Sequence, residues 1–161
     1  MTDKPQRDAT PFGNYSQALM IPHAKALGLE LIDVSRGEAT LLLPYDPKLI
    51  GDPATGILHG GVITTVMDNA MGLAVFSALD PVMPLATLDL RLDYLKPATP
   101  GEDVKVYAHC YKITHYVAFV SGRAYHGDKS EPIAKGTATF MLARHAADTD
   151  VDPSDKPLQE S

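Results

Sequence analysis

Apolar residues recur along the 161-residue chain with two different periods. Between Gly60 and Leu79 they occupy most of a helical circumference, with Val62, Ile63, Val66, Met67, Ala70, Met71, Leu73 and Ala74 all apolar. That pattern predicts one long helix covered on nearly all sides. From Pro84 to Leu95 the period drops to two. Leu88, Leu90, Leu92 and Tyr94 alternate with Thr87, Asp89, Arg91 and Asp93, which predicts a strand with one core face and one polar face. Val104 to Thr114, Tyr116 to His126 and Ile133 to Ala143 continue as strands. Before the helix, Leu29 to Val34 and Glu38 to Pro44 form a hairpin through Ser35-Arg36-Gly37. Pro44 to Leu58 reads as a long loop, and such loops in compact domains are often functional. A short helix kinked at Pro22 is expected over Tyr15 to Ala26. Two strands, a central apolar helix and four more strands describe an α+β chain, with one antiparallel sheet of about six strands wrapped around that helix.

Composition narrows the picture. The length suits a single domain, expected over residues 12–145 between flexible tails at 1–11 and 146–161, where Pro, Asp and Ser replace apolar residues. A formal net charge of -6 argues against nucleic acid as a partner. Cys110 is the one cysteine, so no disulfide demands an oxidising compartment. Met1 to Gln17 has no apolar core of a secretion signal, and Asp68 and Asn69 interrupt the longest apolar stretch; the expectation is a cytoplasmic protein without a membrane span. No Gly-x-Ser-x-Gly turn, helical His-x-x-x-His pair, cysteine cluster or phosphate-binding glycine loop occurs, so no metal site or retained cofactor is expected.

Chemistry concentrates where the loop meets the long helix, at Gly56-Ile57-Leu58-His59-Gly60-Gly61. The first turn of a helix carries N–H groups without internal partners, backed by the positive end of the helix dipole. Glycine at Gly60 and Gly61 lets a ligand oxygen approach those groups, which outlines an oxyanion site. The same glycines would equally serve close packing against a strand, with His59 satisfying loop carbonyls. Asp68 sharpens the choice, because a carboxylate on an otherwise apolar helix is costly to bury unpaired. It is either a reactive acid or a structural one, paired with Arg91 or Arg123 or hydrogen-bonded to Thr64.

These segments, together with Gly72 and the run Thr87-Leu88-Asp89-Leu90-Arg91-Leu92-Asp93-Tyr94-Leu95-Lys96-Pro97, resemble the hotdog-fold acyl-coenzyme A thioesterases, in particular their phenylacetate-degradation (PaaI-like) branch. The likeness extends from about Leu27 to Arg144. It implies a hotdog fold and hydrolysis of an acyl-coenzyme A, with the Gly60 N–H polarising the thioester carbonyl and Asp68 acting as general base or nucleophile. It further implies that Thr87 helps to position the attacking water. Coenzyme A is then part of the substrate. Many relatives carry an Asn six residues before the His; here that position is Pro53, preceded by Asp52, which leaves the carbonyl to the helix N-terminus alone or to Thr55.

The catalytic candidates are therefore Asp68, Gly60, Thr87 and His59, with Gly61, Thr55 and Asn69 as substrate-binding candidates. His59 would be the base if the scaffold instead hydrated an enoyl substrate, and a non-catalytic acyl-coenzyme A binding module is the other alternative. Gly60 and Asp68 lie eight positions apart, roughly 12 Å along a helix at about 1.5 Å per residue. One thioester carbon cannot touch both. A site using both must join two chains, so a homodimer is the expected minimal active unit and a homotetramer, a dimer of dimers, the expected assembly.

Overall fold

The computed structural model describes Tyr15 and residues 21–143. Both expected tails, and most of the segment before Pro22, lie outside the described residues. Helix α1 (Pro22–Leu27) leads into strands β1 (Glu30–Ser35) and β2 (Glu38–Leu43). A 3-10 turn (Pro47–Leu49) and the short strands β3 (Ile50–Asp52) and β4 (Ile57–Leu58) follow. Then come α2 (Gly60–Ala78) and strands β5 (Leu85–Tyr94), β6 (Val104–Ile113), β7 (Val117–Tyr125) and β8 (Ala134–Leu142). Six strands form one antiparallel sheet in the order β1-β2-β6-β7-β8-β5, and α2 lies across its inner face, mainly over β2, β6 and β7.

The core is the product of the two periods. Val66, Met67, Ala70, Met71, Ala74 and Val75 of α2 are fully buried against Leu41, Leu43, Val104, Val106, Val120 and Phe140. Among the described residues, the segment long and apolar enough to cross a membrane is thus the helix that the sheet covers. Its far end is tied to the first hairpin, where the buried Ser77 Oγ accepts from the Gly37 N–H at 3.1 Å and donates to the Ala74 carbonyl at 2.9 Å. Gly37 sits at φ 82, which the two-residue turn requires and a side chain would resist.

Three expectations change. Pro22 does not kink a helix; it opens one, at the first position, where its missing N–H costs nothing. The loop from Pro44 to Leu58 contains the β3–β4 hairpin, which holds the start of α2: the His59 N–H donates to the Leu49 carbonyl at 2.9 Å, and a Cβ on Gly51 would stand 2.8 Å from His59 Cα. The third change is in β5, where strict alternation fails. A bulge between Thr87 and Asp89 places Leu88 outward, 55% exposed, and turns Thr87 towards the helix, on the same face as Leu90 and Leu92.

Candidate active site

The first turn of α2 is a closed hydrogen-bonded unit with one donor left over. His59 is the N-cap, and its Nδ1 accepts from the Gly61 N–H at 2.9 Å. The Val62 N–H goes to the His59 carbonyl at 2.9 Å. Among the described residues nothing accepts from the Gly60 N–H, and the turn holds no acidic residue to offset the helix dipole. Gly60 itself is clamped. Tyr94 OH donates to the Gly60 carbonyl at 2.6 Å, and Thr64 Oγ1 lies 2.7 Å from the same phenol oxygen. Around this turn runs a cleft of about 390 Å³, lined by Ile57, Leu58, Ile63, Tyr94, Leu95 and Pro97.

Two helical turns further on, Asp68 Oδ1 accepts from Thr87 Oγ1 at 2.8 Å. The β5 bulge makes that contact possible. Asp68 thus has its partner in Thr87, while Arg91 and Arg123 lie on the outer side of the sheet, so the structural ion pair considered for this carboxylate is not formed. Asp68 and Thr87 line a second cleft, about 300 Å³, whose other walls include Gly72, Leu73, Phe76, Leu85 and Phe140. Asn69 shares this cleft, its Nδ2 donating back to the Thr65 carbonyl at 2.8 Å. The two clefts have no lining residue in common.

The candidates fall into three groups. Gly60 and His59 meet at the helix start, and Asp68, Thr87 and Asn69 meet in the second cleft. Gly61 lies beside Gly60, but its N–H is occupied by His59. Thr55 is apart from both clefts: it donates to Asp52 Oδ2 at 2.8 Å, while Asp52 Oδ1 takes the Ala54 N–H at 3.0 Å, closing an exposed turn on itself. The sequence offered Thr64 as a partner for Asp68, whereas its hydroxyl meets Tyr94 and the Gly60 carbonyl, and the part played by Tyr94 itself was missed. Tyr94 was counted as a core position, although it is 51% exposed, and its one available signal was its place in the Tyr-x-x-Pro end of β5.

Comparison with known proteins decides the family. Residues 55–133 match the model for the Thioesterase superfamily. The medium/long-chain acyl-CoA thioesterase YigI of Escherichia coli is 33% identical over 76% of this chain and 86% of its own. The chain belongs to the thioesterase superfamily. A protein of Halobacterium salinarum is 48% identical over 75 residues, a match covering 45% of this chain and 50% of that protein. A solved structure from Pseudomonas aeruginosa is 40% identical and superposes with a TM-score of 0.73 over 80% of this chain and 96% of that one. A phenylacetic acid degradation protein PaaI from Thermus thermophilus, solved as a variant, is 25% identical with a TM-score of 0.65 over 74% of this chain and 97% of its own. The hotdog fold and the PaaI-like branch are thereby established, and with them a thioester hydrolase.

Proposed function

We propose that this thioesterase hydrolyses acyl-coenzyme A carrying a medium or long acyl chain, in a site built from two copies of the chain. The observation that carries the reading is the pairing of a free helix-terminal donor, the Gly60 N–H, with a carboxylate held by a hydroxyl in an apolar cleft, Asp68 with Thr87. The thioester carbonyl oxygen accepts from Gly60 as negative charge develops on it. Asp68 takes the proton from a water that Thr87 helps to align, the water oxygen bonds to the carbonyl carbon, and the C–S bond breaks as that proton passes from Asp68 to the leaving sulfur, releasing the carboxylic acid and coenzyme A as thiol. Coenzyme A is here part of the substrate and is not retained. The acyl chain fits the walls formed by Leu73, Phe76, Leu85 and Phe140. A medium or long chain is also what the name of the Escherichia coli relative states for that protein.

Strand β5 supports the two-chain arrangement. It pairs with β8 on one side and ends the sheet on the other, with Leu88, Tyr94 and Leu95 each more than half exposed. An unpaired edge with exposed apolar residues is a natural place for a second copy. Antiparallel pairing of two β5 strands about an axis near Leu90 and Arg91 sets Thr87 of one copy opposite Tyr94 of the other. That brings the Asp68 cleft of one chain towards the Gly60 turn of its partner. Free-thiol release from acyl-coenzyme A substrates of increasing chain length tests the reading. Release from medium or long chains and a loss of about 10²-fold or more in kcat for Asp68→Asn are expected. No release from any chain length, or full activity in Asp68→Asn, overturns it.

A further inference from the structure

A third cleft takes no part in this chemistry. It measures about 510 Å³ and opens on the side of the sheet turned away from α2. Cross-strand register fixes that orientation. Ala108, Gly122, Gly136 and Leu92 lie in one row across β6, β7, β8 and β5. This row faces the helix, since a Cβ on either glycine would stand 3.4 Å from the Met67 methyl. The row Tyr107, Arg123, Lys135 and Asp93 on one side of it therefore points outward, as does the row Ser121, Thr137 and Arg91 on the other.

Three cations thus share one concave surface with three hydroxyls. The lining carboxylate, Asp93, is engaged by Arg91 at 3.3 Å. Among the described residues no carboxylate lies within ion-pair distance of Arg123 or Lys135. Lys129 adds a fourth cation beside the cleft, its Nζ 2.9 Å from the centre of the Tyr107 ring. Burial first, and then the charge of Arg123, lower its pKa, with Glu38 opposing. The Tyr107 phenol supplies no balancing anion. Burial, and next its 2.6 Å hydrogen bond to Glu38, push its pKa up to about 12.

Like charges directly opposite one another on neighbouring strands destabilise a sheet, and Arg123 and Lys135 are such a pair. The chain has 20 acidic and 14 basic residues, yet here the basic ones gather. We infer that this outer cleft binds a phosphorylated small molecule, its phosphate oxygens held by Arg123, Lys135 and Arg91. Guanidinium groups meet phosphate oxygens in pairs, and the volume falls within the roughly 300–1,000 Å³ of small-molecule sites. The inference does not depend on the thioester chemistry.

Isothermal titration of the full chain at low salt with adenosine 3′,5′-bisphosphate and, separately, ATP tests it. Wild type binds at least one probe, and the double variant Arg123→Gln, Lys135→Gln binds it about tenfold more weakly or worse. The charge-conserving pair Arg123→Lys, Lys135→Arg retains binding, and thermal melting of each variant verifies its fold. No binding of either probe to the wild type, as when a second copy covers this face, or equal binding by the double Gln variant, overturns the inference. Turnover separates the two sources of phosphate. If the double Gln variant raises KM for acyl-coenzyme A but not for the matching acyl-pantetheine, the ligand is the nucleotide end of a substrate bound by a neighbouring copy. If probe binding falls while both KM values hold, the ligand is a separate molecule. A chain that hydrolyses nothing still yields the titration result, so failure of the thioesterase reading remains distinguishable.

Discussion

Helix α2 presents two clefts about two turns apart, and they are built by opposite means. At its start the proposed reactive group belongs to the backbone: the Gly60 N–H is left free because His59 takes its neighbour's N–H and Tyr94 fixes its carbonyl. At Asp68 the proposed reactive group is a side chain, aimed by a hydroxyl and framed by apolar residues. A side-chain site can be silenced by exchanging one atom. A backbone site can be silenced cleanly only by removing the N–H itself.

Proline does that at Gly60. The first helical position tolerates it, and His59, at φ -62 and ψ 131, already has the extended conformation that a residue before proline needs. Gly60→Pro is expected to fold and to lose about 10²–10³-fold in kcat. Mixing it with Asp68→Asn tests the two-chain site directly. In a heterodimer of two inactive chains, one of the two sites combines an intact Gly60 with an intact Asp68. Refolding an equimolar mixture should therefore restore about a quarter of wild-type activity, given random pairing of a two-fold dimer. Recovery no greater than the sum of the parents would return both groups to one chain.

Thr87→Val keeps the shape of the side chain and removes its hydroxyl. If Thr87 aligns the water with Asp68, kcat falls by about 10- to 150-fold while KM holds, because one hydrogen bond to a charged group contributes about 1.5–3 kcal/mol. A change confined to KM would reassign Thr87 to binding. His59 offers the matching test at the other cleft. His59→Ala removes an N-cap and should cost about 1 kcal/mol in denaturant unfolding, whereas His59→Asn, itself a good cap, should keep both stability and turnover. Loss of turnover in the Asn variant would restore His59 as a proton carrier.

The same contrast explains what was legible beforehand. The helix and the six long strands followed from apolar periodicity, and the candidate reactive positions were picked out by glycines and a lone carboxylate in places where such residues are unusual. What escaped was tertiary. The bulge at Leu88 leaves the alternation of β5 intact in sequence while reversing which face Thr87 occupies, because two residues then oppose one on β8. Hairpin β3–β4 hides among prolines and glycines, and its purpose shows only in the contact of Gly51 with His59. Tyr94 reaches Gly60 across 34 positions, and the cations of the outer face meet only through cross-strand register.

The smallest expected effect separates stability from function within the Asp68 cleft. Gly72 lies one turn beyond Asp68, in the interior of a 19-residue helix, where glycine costs about 1 kcal/mol relative to alanine. No steric conflict imposes it. A Cβ there would stand 3.6 Å from Phe140 Cε1 and 3.8 Å from Leu85 Cδ1, ordinary contact distances. Both neighbours are walls of the cleft, so the added methyl would occupy space that the proposed acyl chain uses. Gly72→Ala should accordingly melt about 2–4 °C higher while losing kcat/KM selectively for the longest acyl chains it accepts. A stabilised variant with an unchanged chain-length profile would mean that the chain runs elsewhere, and that the glycine serves neither packing nor substrate.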